Sequence, residues 1–140
     1  DIFSLVNEEF MRLSDYYKLV SIECSSGSDI RPMAKIIMKI DDKNVEVEGF
    51  GDGPMDSVFR AISKAANLTP VLDSYSVASV TEGMDAQAEV SVSIKHDDFF
   101  ARGKGASTDV IIASAKAFIN ALNNLRWRKN HPKIASTKGV

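Results

Sequence analysis

Cysteine is almost absent from this sequence: Cys24 stands alone in 140 residues. No disulfide can form within the chain, and the shortage fits a reducing, cytoplasmic compartment. Histidine is nearly as scarce. His96 sits beside two aspartates and His131 in a basic stretch near the end, without the ligand spacing a zinc centre needs. No apolar run approaches the roughly 20 residues of a membrane span, and the first ten residues are acidic where a signal peptide would be basic. No methionine opens the chain, so it reads as a piece of a longer protein. Neither sign of charge dominates: 17 Lys and Arg face 19 Asp and Glu. That balance gives no basis for nucleic-acid or membrane binding. What is left is an ordinary globular composition at a length suited to one domain.

Hydrophobic spacing organises the chain. Ile2, Leu5, Val6, Phe10 and Leu13 recur at helical intervals, predicting a short connecting helix over residues 1–15. From Tyr16 the period falls to two. Val20, Ile22 and Cys24 alternate with polar neighbours, followed by a Ser25–Asp29 loop. Ala34, Ile36, Met38 and Ile40 form a second alternating set, and Val45 and Val47 a third, after a turn at Asp41–Asn44. Pro54 then suits a helix's first turn, and Met55, Val58, Phe59 and Ile62 make a buried helical stripe.

The same order returns. Tyr75, Val77 and Ser79 lie in a strand over 72–81, and Ala86 to Ile94 alternate with polar residues. A turn at His96–Asp98 leads to a short strand over 99–104, and then to a helix ending near Leu125. Along it, Ala113, Ser114, Ala117 and Ala121 are small enough to admit another backbone, which reads as a partner helix within the chain or across a dimer. A basic tail fills 126–140. The fold expected is α+β: two pseudo-symmetric βββα units, helices packed on antiparallel sheets, preceded by a short helix.

Catalytic chemistry finds few parts. Asp41–Asp42 and Asp97–Asp98 are turn pairs before they are metal or acid–base pairs. Cys24 lies on the inward face of a strand with no histidine near it in sequence, as a structural thiol would. Gly49–Gly53 lacks the dinucleotide spacing G-x-G-x-x-G. Two glycine-rich segments do, however, deliver the chain into helix starts, where free N–H groups and about half a positive charge attract carboxylates. Asp52, Asp56 and Asp109 stand at the same places. The residues alone leave two roles open, stabilising their own helices or helping to hold a free amino acid.

Three motifs resemble the regulatory domain of 2-isopropylmalate synthases, a module shared with citramalate synthases. They are Gly51-Asp52-Gly53-Pro54-Met55-Asp56-Ser57-Val58-Phe59-Arg60-Ala61-Ile62, Asp85-Ala86-Gln87-Ala88, and Gly105-Ala106-Ser107-Thr108-Asp109-Val110 continuing to Ala117. The resemblance covers about 16–125. It implies a C-terminal amino-acid-binding domain with two βββα units, a homodimer, and leucine as feedback effector, or isoleucine in a citramalate synthase. A dimerisation module without a ligand is the other alternative.

The lining positions it implies are Asp52, Gly53, Met55 and Asp56, then Val71, Ser74 and Ala78, then Ala86 and Ala88, and lastly Ala106 and Thr108. Ser74 departs from members that carry tyrosine there. The resemblance also implies a parent transferase that uses acetyl-CoA and a divalent metal, neither held by this fragment, with residues 1–15 connecting to the missing catalytic region. It implies no nucleic-acid or membrane partner.

Overall fold

A computed structural model describes residues 16–79 and 86–131. The expected helix over 1–15, most of the tail, and Asp85 lie outside them. The first unit is β1 (Tyr17–Gly27), β2 (Ile30–Ile40), β3 (Lys43–Phe50) and α1 (Pro54–Ala66). The second is β4 (Val71–Ser79), β5 (Ala88–His96), β6 (Phe99–Ser107) and α2 (Val110–Asn130). Each unit is an antiparallel three-stranded sheet in chain order, followed by its helix.

Two of the hairpins turn on the same device. Asp41 and Asp42 have φ of 51° and 66°, and Asp97 and Asp98 have 51° and 68°. Consecutive left-handed residues give the two-residue turn whose twist matches the strands, and aspartate tolerates that conformation through local hydrogen bonding. The aspartate pairs are turns. The first is tighter than the spacing predicts, since β3 already begins at Lys43.

The helices lie between the sheets. α1 packs on β2 and β3, and α2 on β5 and β6, while α2 also covers β1 of the other unit. Phe59 of α1 meets Phe118 of α2 with ring centres 4.8 Å apart. Ile36, Met38, Val58, Ile62, Val90, Ile94, Leu122 and Leu125 are the large, wholly buried members of the core. A helix with neighbours on two sides must be apolar around most of its girth. Accordingly, α2 buries ten side chains, from Ala113 to Leu125.

Four differences from the sequence pattern have physical causes. Within the chain, the small residues Ala113, Ala117 and Ala121 of α2 lie against a strand: a Cβ at Gly103 would collide with Ala117 O and Ala121 N, and one at Gly105 with Ala113 O and Ala117 N. The β1–β2 register shifts between Leu19 and Ser21, so Val20 is half exposed and Leu19 takes the inward place beside Ile22 and Cys24. Such a bulge reverses the alternation on one side. β6 continues to Ser107, beyond the expected end at Lys104. Finally, α2 runs five residues past Leu125, so Arg126, Arg128 and Lys129 belong to its last turns and not to a free tail. Basic side chains suit that end of the helix dipole.

Candidate effector site

Strand β1 runs antiparallel to α2. Its first residue, Tyr17, and the preceding Tyr16 bond to Asn123, while Cys24 feels the carboxylate of Asp109. Burial first, and then Asp109, push the Cys24 thiol above its ordinary pKa. On the other side of the sheet, Ser25 pairs with Met33 and Met33 with Phe50, from which the chain passes into α1. Both helix starts therefore stand at one end of the first sheet. The second sheet contributes its own row there, Ser79–Ala88–Ser107.

The two starts differ. Asp109 caps α2, its Oδ1 accepting from Ile111 N at 2.8 Å and Ile112 N at 3.4 Å. Gly53 begins α1 in extended conformation with no side-chain cap. Nothing lies within 4 Å of a Cβ built at Gly53, so the space beside that residue is open. Asp56 Oδ2 accepts from Asp52 N at 3.0 Å and from Arg60 Nε at 2.9 Å. The Asp52 amide, and after it Arg60, hold the Asp56 carboxyl below the usual range. Each helix-start aspartate thus stabilises its own helix, and of the two starts only that of α1 has no side-chain cap.

Of the residues the resemblance implies, Asp52, Gly53, Met55, Asp56, Ala78, Ala86, Ala88, Ala106 and Thr108 share this end of the molecule. Val71 does not. It pairs with Lys95 at the far end of β4, about 23 Å from Ala78 at the usual rise per residue. Directly opposed residues of an antiparallel ladder share a face. Ala88 therefore points to the helix side with Ser79 and Ser107, whereas Ala78 and Ala106, paired through Glu89, point outward, as does Ser74, paired through Ser93 with Arg102.

Three clefts of one chain also divide the set. Asp56 borders a groove of about 920 Å³ floored by Phe59, Leu72 and Phe118. Ser74 lines one of about 250 Å³, and Ala106 one of about 450 Å³ beside Tyr17 and Asn120.

Two residues stand out that the resemblance does not supply. The hydroxyl of Tyr75 lies 2.8 Å from Ser114 Oγ, and its ring meets Phe59 edge-on at 6.0 Å, so it joins β4 to both helices. Asn123 is a buried amide among the leucines of α2. A polar residue on an apolar stripe is the sequence signal that would have found it.

A model of the family described as LeuA allosteric (dimerisation) domain matches residues 1–126. This chain belongs to that family. As a LeuA allosteric domain, it is similar over most of its length to proteins named 2-isopropylmalate synthase. One from Nitratidesulfovibrio vulgaris is 43% identical over 127 residues, 89% of this chain and 24% of that protein. Another from Caulobacter vibrioides is 40% identical and includes 99% of this chain. A third, from Heliobacterium modesticaldum, is 36% identical over 140 residues and includes all of it. The chain spans about a quarter of the length of these relatives. The domain's described residues contain no cluster of three metal-ligating side chains and no helix long and apolar enough to cross a membrane.

Proposed function

We propose that this chain is the C-terminal regulatory domain of a cytoplasmic 2-isopropylmalate synthase, and that it binds leucine as the pathway's feedback effector. The observation that carries the reading is the meeting of two helix starts at one end of the molecule, one capped by its own aspartate and one open. The leucine carboxylate sits on the first-turn amides of α1, reached past Gly53. Asp52 and Asp56 supply negative charge for the ammonium. Burying the branched side chain against Ala88, on the helix side of the second sheet, contributes roughly 1.5–3 kcal/mol.

A second copy completes the site. All nine residues of β4 are exposed, and this edge strand carries Val71, Leu72, Tyr75 and Val77 with 37–65% of their surface open. An apolar edge of that kind needs a cover. A partner laid along β4 brings outward-facing Val71, Ser74 and Ala78 of one copy to the helix starts of the other. The effector then bridges two copies and favours a less active arrangement of the whole enzyme, for which a coupling of about 1–3 kcal/mol suffices. The acetyl-CoA condensation and its divalent metal belong to the part of the synthase outside this chain.

Calorimetric titration with leucine, isoleucine and valine tests the assignment. Heat from leucine, with at least tenfold weaker responses to the others, is the expected result. A preference for isoleucine would move the domain to a citramalate synthase. Silence for all three would leave a dimerisation module without an effector.

A further inference from the structure

We propose that Asn123 is the point through which α2 passes changes at its start to the place where the chain enters the first sheet. This rests on the effector reading only for what disturbs α2. Asn123 is 4% exposed, and its amide is fully used. Oδ1 accepts from Tyr16 N at 3.0 Å and Tyr17 N at 2.8 Å, and Nδ2 donates to Tyr17 O at 2.9 Å. These are the bonds a neighbouring strand would make, supplied here by one side chain to an edge strand more than a hundred residues away.

One turn further along, the Arg126 guanidinium lies 3.8 Å from the centre of the Tyr16 ring. Tyr16 O in turn accepts from Asp41 N of its own sheet at 3.1 Å. The first described residue is thus tied to sheet 1 on one side and to α2 on the other.

Two other asparagines of α2 point the opposite way. Asn120 donates to Lys104 O at 2.6 Å, and Asn124 donates to Arg102 O. Both fasten α2 to β6, where Gly103 and Gly105 let the helix lie against the strand backbone. The helix is therefore fastened to its own sheet at several points, and Asn123 links it to the other. From Asp109 to Asn123 is fourteen residues, about 21 Å of helix, so a displacement of the α2 start, which stands beside the α1 start, is felt at the chain's point of arrival.

Amide hydrogen exchange on the full 140-residue chain tests the idea, because it reads local opening residue by residue. Asn123→Ala is expected to speed exchange at Tyr16 and Tyr17 at least tenfold, and Asp109→Ala, which loosens the helix start, about threefold. Sites this far apart ordinarily act independently. Transmission through Asn123 predicts a double variant no faster than Asn123→Ala alone. A double variant near thirtyfold, the product of the two, overturns the proposal.

If Asn123→Ala does not fold, Asp109→Ala decides alone: unchanged exchange at Tyr16 and Tyr17 refutes the coupling. Leucine adds an independent arm. It should slow those two amides at least threefold in the natural chain and leave them unaltered in Asn123→Ala, which still binds leucine by calorimetry. Slowing that persists in the variant counts against Asn123, as does leucine binding that leaves these amides unchanged in the natural chain. Absence of heat with the natural chain refutes the effector reading, while the double-variant comparison still decides the coupling.

Discussion

Asp109 and Asp56 illustrate how the same residue type at two helix starts can serve different ends. Asp109 satisfies two first-turn amides of α2. Asp109→Ala should therefore lower stability by about 1 kcal/mol, measurable by urea denaturation. The same loss removes a negative charge near Cys24, so the thiol should alkylate faster at pH 8 in Asp109→Asn than in the natural chain. Asp56 holds its carboxyl below the ordinary range through the Asp52 amide and Arg60. A depressed carboxylate stabilises the fold above its unfolded pKa of about 4, and the contribution fades as pH falls through the lower folded value. Because the pair is largely exposed, Asp56→Asn should cost no more than about 0.5 kcal/mol at pH 7. That is a Tm difference of about 2 °C, and thermal melts at pH 3 should show it diminished. Sequence made these aspartates visible, but not their partners. Spacing cannot show whether a carboxylate at a helix start turns back to its own amides or outward to a ligand.

Between elements, the contacts are decided by which side chains are missing. Gly103 lies where any Cβ would meet the α2 backbone, so Gly103→Ala should destabilise by about 1–3 kcal/mol, read as a lower urea midpoint. The small residues of α2 were legible as a close approach. Their partner was not, because a strand and a helix demand the same smallness. The alternation of β2 and β5 was likewise plain, since these central strands bury one face fully, Ile36 and Val92 among them. β1 misled at Val20 because a bulge moves the phase without any mark in composition. The end of α2 escaped notice for a different reason. Its last turns are held by polar contacts, Lys129 with Asp97 and Arg126 over Tyr16, which hydrophobic periodicity does not register.

At the scale of the molecule, the two units are not equivalent. The 21-residue α2 covers β1, whereas the 13-residue α1 stops short and leaves β4 open. If a second copy covers that strand, Val71→Asp, on its outward face, should leave the fold within about 0.5 kcal/mol, as exposed substitutions do, and convert a dimer to a monomer of 15.3 kDa in sedimentation. A dimer that survives the change would place the partner elsewhere. The order of the two βββα units could be read from the sequence. The division of the implied site residues between two faces of the second sheet could not, because pairing register is a property of the folded ladder.

The account turns on the open start of α1 as the seat of an amino-acid carboxylate. Gly53→Leu fills that approach with a side chain whose Cβ meets nothing within 4 Å, at a cost to stability below about 1 kcal/mol. Leucine titrated into the two proteins side by side gives the most direct test. The account predicts a heat of binding for the natural chain and at least tenfold weaker affinity for a folded Gly53→Leu. Equal affinity in both proteins would contradict it.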